Sequence, residues 1–246
     1  MTAALDNLRD RAIQAMFDRI AGQYDVLNRV ISFHCDRTWR NRAVQEILKS
    51  GHQFILDLGA GTGDLTFTAA RKLAGNGRVV GLDVSHQMLK LARSKQSSAN
   101  QGEKTCFVQG SAMFSPFKDS IFDGVMSAFV LRNVSDLSLF FAHAFRVLKD
   151  GGKFVSLDMF PPSKSWFSAF YSLYFYRLVP WIGALLAQDR IAYKYLAESV
   201  ESFGPPERVT ELLEQAGFKD VRLRRFLNGA VCLHVADKIN PASRSS

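Results

Sequence analysis

Phe54-Ile-Leu-Asp-Leu-Gly-Ala-Gly-Thr-Gly-Asp64 sets the frame for the rest of the chain. Residues 54–58 form a short apolar run, the pattern of a strand buried on both faces of a parallel sheet. It runs straight into Gly59, Gly61 and Gly63, which let the backbone turn tightly and let a ligand approach it closely. A helical pattern follows at 65–73. Strand, glycine loop and helix in that order make the opening unit of an open α/β sheet, whose ligands bind beyond the carboxyl ends of the strands.

The same rhythm continues outward. Arg78-Val-Val-Gly-Leu-Asp83 reads as a second strand, and Ser85 can cap a helix at 86–93. Strands follow at 105–109 and 122–128, then a helix at 137–148. Asp150-Gly-Gly152 reads as a turn before a fifth strand at 153–159. Such alternation implies a parallel sheet with helices on both faces. Amphipathic helices are expected at 5–20 and 37–48, and an aromatic-rich pair of helices at 161–203. A helix at 205–216 ends on Gly217, and strands at 221–226 and 230–236 pair around an Asn228-Gly229 turn.

The fold class is therefore α/β, with a doubly wound, mostly parallel seven-stranded sheet. Residues 1–50 are an N-terminal helical cover, and 51–160 the ligand-binding core. Residues 161–204 are a helical insertion on the substrate side, after the fifth strand. A helix and strand pair at 205–238 complete the core, and 239–246 are a disordered tail.

Composition narrows the function classes. The chain has 246 residues, enough for one domain with an appended lid. Its net charge of +8 suits RNA, an anionic membrane surface or an acidic ligand, or simply a solvated surface. No basic stripe or RNA-binding appendage is visible, so nucleic acid is not an expected partner. Cys35, Cys106 and Cys232 lack metal or redox spacing, which fits a reducing compartment. Cys106 and Cys232 lie in apolar runs and read as small core residues. The 5 histidines show no metal-ligand spacing, so no metal is expected. His234, in a strand, reads as a core hydrogen-bonding group. No secretory signal is visible, and the apolar stretch 166–187 is broken by Arg177 and Pro180. The expected location is cytoplasmic, with a peripheral contact at the inner face of a membrane as one option.

The glycine loop discriminates between ligands. A dinucleotide site wants Gly or Ala five residues after its first glycine, and here that position is Asp64. Asp57 and Asp64 bracket the loop and would repel a pyrophosphate. They suit S-adenosylmethionine, which carries a sulfonium and an ammonium and no phosphate. Asp83, at the end of the second strand, is placed to accept hydrogen bonds from ribose hydroxyls.

At this point the chain resembles the C-methyltransferases of ubiquinone and menaquinone biosynthesis. The resemblance rests on Phe17-Asp-Arg-Ile-Ala-Gly-Gln-Tyr-Asp25 with Asn28, on the loop from Asp57 to Asp64, and on Phe129-Val-Leu-Arg-Asn-Val134 with Asp136. In the C-terminal half it rests on Asp189, Ala192-Tyr193, Tyr195-Leu196, Glu198-Ser199, Ala216-Gly-Phe218 and Leu233-His234. It implies the class I S-adenosylmethionine-dependent fold. It also implies cofactor contacts at Thr62, Asp83, Val84, Met88 and the pair Ser111-Ala112, beside Asp57, Gly59, Gly61 and Gly63. The chain departs from the family pattern at Asp36, Ser111, Ala128, Val130 and Asp158.

The implied reaction methylates a ring carbon of a polyprenylated quinol, which needs a neighbouring phenol driven towards phenolate. Arg132 is the first candidate to stabilise that charge, against a structural salt bridge to a residue such as Asp136. Tyr24 is the second, if the N-terminal motif folds over the cofactor. Asn133, Asp189, Tyr193 and Tyr195 are candidates for the substrate pocket. The aromatic stretch 166–177 can meet the polyprenyl tail, a membrane or a second subunit of a homodimer. The alternatives are a methyltransferase of another phenolic small molecule and a low-activity cofactor-binding scaffold in a quinone-synthesis complex.

Overall fold

A computed structural model describes residues 2–49, 51, 53–98, 102–162 and 190–239. Residues 163–189 of the expected helix pair, Asp189 among them, and 240–246 of the expected tail lie outside the described residues, while 190–201 at the end of that pair are helical. Tyr193 is placed on a helix, but its side chain is likewise outside the description.

Seven strands form one sheet: β1 (Phe54–Leu58), β2 (Arg78–Asp83), β3 (Thr105–Gln109), β4 (Phe122–Ala128), β5 (Leu148–Met159), β6 (Lys219–Phe226) and β7 (Val231–Asp237). Their order is β3-β2-β1-β4-β5-β7-β6. The first five are parallel, β7 runs antiparallel to β5, and β6 antiparallel to β7. β1 lies between β2 and β4, so the strand order reverses there. The crevice beyond the carboxyl ends of β1 and β4 is the place where such a sheet binds ligands.

Helices α1 (Thr2–Ile31), α2 (Cys35–Leu48), α3 (Asp64–Ala70), α4 (His86–Ser98), α5 (Leu137–Val147), α6 (Arg190–Glu201) and α7 (Pro206–Gln215) pack around it. On one face Leu56 and Leu58 join Phe140 and Phe141 of α5 and Leu213 of α7 in a single cluster. On the other, Ile55 joins Trp39 and Val44 of α2 and Leu65 of α3. β1 is thus covered on both sides, which is why its sequence is a run of apolar residues and not an alternation.

Several boundaries differ from the sequence reading. The first helix runs to Ile31, eleven residues past the expected end at 20. Its second half is held by tertiary packing, with Ile20 and Ile31 clustered with Ala197 and Val200 of α6, where the local pattern alone is weak. Asp150-Gly-Gly152 is not a turn between elements. It is an irregularity inside β5, where Leu148 pairs with Phe122 and the register resumes at Lys153 and Gly124. The β6–β7 connection is a three-residue 3-10 turn, Leu227–Gly229, all of it at positive φ. Cys106 is exposed, contrary to its reading as a core residue. It lies on the edge strand β3 between buried Thr105 and buried Phe107, so the two-residue alternation turns it outward. Cys232 is buried as expected.

Candidate active site

A cavity of about 770 Å³ opens between α1 and the carboxyl ends of β1, β2 and β4. Its polar end is built on the glycine loop. Gly59 and Gly61 line it, with φ of 72° and 56°. The place a Cβ would take on Gly61 is open space, so the backbone itself forms that stretch of wall. Opposite the loop, Asp83 faces the cavity from the end of β2. One carboxylate oxygen accepts the Gly61 N–H at 2.8 Å and the other the Ser85 N–H at 2.8 Å. Burial raises this carboxyl above its usual range, opposed by the N–H groups of Ser85 and Gly61. Val84, Met88, Ser111 and Ala112 complete this end.

The other loop residues stand behind the wall. Thr62 is buried and donates its hydroxyl to Asp25 of α1 at 2.5 Å. Asp57 is buried and accepts from the Thr66 hydroxyl at 2.6 Å. Desolvation pushes its carboxyl up to about 7, with Thr66 and Arg40 opposing. Asp64 is paired with Lys95 at 3.0 Å and does not line the cavity. Burial raises the Asp64 carboxyl, but Lys95 and Arg40 outweigh it and hold it below the usual range. Gly63 seats against Phe67 and Phe107 instead of the cavity.

The second end is largely apolar. Phe17 and Tyr24 of α1 face Phe129 and Val130, which follow β4. Phe129 sits in the left-handed region, at φ 64°, with its N–H on the Leu157 carbonyl at 2.7 Å. That turn brings Asn133 to the cavity, where Tyr195 of α6 donates to its side-chain oxygen at 3.2 Å. Arg132 does not line the cavity. Its guanidinium is buried behind Phe129 and bonds Asp158 at 2.6 Å. The structural partner is therefore Asp158, since Asp136 instead caps α5 by accepting the Leu139 N–H at 2.9 Å. Arg40 also stacks on the Phe129 ring, 5.0 Å from its centroid.

Sequence reading missed Asp10, Ile13 and Gln14 as cavity residues. With Phe17 and Tyr24 they recur at helical spacing along one face of α1, and that spacing was the available signal. His234 is fully buried and its Nε2 bonds the Pro206 carbonyl at 2.9 Å, a core role. Among the described residues no group of three or more His, Cys, Asp or Glu could hold a metal ion. No helix among them is long and apolar enough to cross a membrane.

The ubiE/COQ5 methyltransferase family matches this sequence over residues 5–238. The chain belongs to that family. It is similar to a demethylmenaquinone methyltransferase of Thermus thermophilus, 40% identical across 91% of this chain and 100% of the relative. It is also similar to a ubiquinone/menaquinone biosynthesis C-methyltransferase of Saccharophagus degradans, 33% identical across 93% of this chain and 92% of the relative. Among solved structures, a possible histamine N-methyltransferase from Thermotoga maritima superposes with a TM-score of 0.63 at 18% identity, covering 92% of this chain and 99% of that one. A putative S-adenosylmethionine-dependent methyltransferase from Methanococcus maripaludis gives 0.63 at 20% identity, covering 89% and 92%. These two likenesses establish the fold, that of class I S-adenosylmethionine-dependent methyltransferases. Family membership makes this ubiE/COQ5 chain a methyltransferase.

Proposed function

We propose that the chain transfers the methyl group of S-adenosylmethionine to a ring carbon of a polyprenylated quinol, in menaquinone or ubiquinone biosynthesis. The observation that carries the reading is the two-ended cavity. A polar end at the glycine loop and Asp83 opens directly onto an aromatic end at Phe17, Tyr24 and Phe129. The names of the similar proteins support the substrate class.

The residues fit the cofactor. The Gly61 wall accommodates close approach, and the Asp83 carboxylate, the acid of this end that lines the cavity, is a partner for hydroxyl donors and a poor neighbour for a pyrophosphate. When bound, S-adenosylmethionine supplies an electrophilic methyl group on a positively charged sulfonium. Asp83 would hold the ribose hydroxyls, with Ser111 and Ala112 flanking the base. Phe17, Tyr24 and Phe129 exclude water and align the acceptor ring, and alignment alone can lower a barrier by about 7–11 kcal/mol. Asn133, set by Tyr195, offers a polar contact to a ring oxygen. Arg132, ion-paired with Asp158 behind Phe129, is the proposed electrostatic support for the phenolate, and the phenol proton leaves to a bound water. Asp189 and Tyr193, to which the resemblance points, are the further residues proposed for the substrate. Within the same reading, the stretch 166–177 is offered to the polyprenyl tail, to a membrane surface or to a second subunit of a homodimer, and nucleic acid is not a partner.

The test is incubation of purified protein with S-adenosylmethionine and reduced demethylmenaquinol, or the matching benzoquinol precursor, followed by mass spectrometry. A C-methylated product is expected from at least one, and the preferred ring names the pathway. Cofactor binding without product from either, beside an active family enzyme, would overturn the quinol assignment.

A further inference from the structure

The roof of the cavity is α1, yet the apolar hold on this helix lies elsewhere. Met16, Ile20 and Ile31 cluster with Ala192, Ala197 and Val200 of α6. Along the sheet edge α1 is held by polar side chains. Asp18 accepts the Ser85 hydroxyl at 2.5 Å and the Gln87 N–H at 3.1 Å. The Ser85 oxygen in turn accepts the N–H of Met88, a cavity residue, at 3.1 Å. Asp25 accepts the Thr62 hydroxyl at 2.5 Å and pairs with Lys95 at 2.5 Å. Lys95 also reaches Asp64, at the start of α3.

The two acids are seven residues apart and lie on one side of the helix. Asp18 grips the loop after β2, which carries Asp83, and Asp25 grips the glycine loop. Tyr24 and Phe17, which face the cavity, are their immediate chain neighbours. We infer that Asp18 and Asp25 are positioning residues for methyl transfer: they join the roof helix to the two cofactor loops, so that loop order and the placement of Phe17 and Tyr24 are set together. Charge-assisted bonds of this kind are the strong ones, and both acids are only partly exposed.

The inference rests on the reading that the cavity takes the cofactor. The experiment therefore begins with binding of S-adenosylhomocysteine to the full chain, followed by hydrogen exchange with and without it. In the wild type, binding is expected to slow exchange in peptides covering 10–25 as well as in the two loops. In Asp25→Ala and Asp18→Ala the dissociation constant is expected to rise about tenfold. Protection of 10–25 is expected to vanish while the loops remain protected at saturating ligand. Single-turnover methyl transfer at saturating cofactor should fall with it. Asp25→Asn, which keeps an acceptor for Thr62 but loses the Lys95 charge pair, is expected between the two, and it decides the matter if the alanine variants do not fold. Variants that bind as tightly as the wild type and retain full protection of 10–25 would overturn the inference. A wild type that binds no S-adenosylhomocysteine would instead overturn the cofactor reading beneath it.

Discussion

Arg132 and Asp158 are buried together, and removing either alone strands the other. Asp158 accepts the Leu131 N–H at 2.7 Å and the Arg132 guanidinium at 2.6 Å, so the pair pins the segment that carries Asn133. Arg132→Met should cost about 3–5 kcal/mol, because it leaves an uncompensated buried carboxylate. Adding Asp158→Leu to it should recover most of that loss in urea unfolding, while methyl transfer stays low. Recovery of both stability and activity would assign Arg132 a purely structural role. The resemblance could point to Arg132, but no pattern in the chain links it to a partner 26 residues away. The ion pair exists because β4 and β5 are neighbours in the sheet.

Among the elements, α5 shows how a cap ties secondary structure to the cavity. Its apolar face, Phe140, Phe141, Ala144 and Val147, is fully buried. Its first turn hangs on Asp136, which accepts the Leu139 N–H and also lines the cavity. Asp136→Ala should cost about 1 kcal/mol in chemical denaturation, with Asp136→Asn near neutral. An equal loss in both would show that the charge, and not the cap, carries the effect. Sequence reading makes Asp136 a salt-bridge partner and not the cap it is, but the helix itself was readable in advance from its local pattern. The extent of α1 was not, because its later turns depend on α6, more than 150 residues away in sequence.

Across the entire domain, two buried groups set opposing pH dependences. His234 is pushed down to about 4 by burial, so its folded form resists protonation. Unfolded chains take up that proton near about pH 6.5, so the contribution is complete above that and is lost as pH falls towards 4. Asp57 is pushed up to about 7, so its folded form keeps a proton that the unfolded chain has released. That contribution is intact below about pH 3.8 and is lost as pH rises through 7. His234→Gln should therefore lose ground against the wild type as pH rises from 4 to 6.5, and Asp57→Asn should gain ground as pH rises from 4 to 7. Each gap should change by about 3 kcal/mol in urea unfolding across its window. Parallel stability curves for variant and wild type would contradict the burial of that group as an ionisation barrier.

The local chain was enough to define a strand–loop–helix unit at 54–70 and the alternation that makes a parallel sheet. Those signals are short-range, being periodicity and turn chemistry, and each is written within a few residues. The position of Asp83 at a strand end was enough to aim it at the ligand, and it lines the cavity; sequence reading aims Asp57 and Asp64 at the ligand too, and they do not line it. Asp57 is sealed in against Thr66, and Asp64 is claimed by Lys95. The roof is a long-range outcome too, because the carboxylates of α1 find their partners 37 and 67 residues away at the edge of the assembled sheet. Side-chain direction and distant pairing depend on which strands become neighbours, and that is a property of the packed fold.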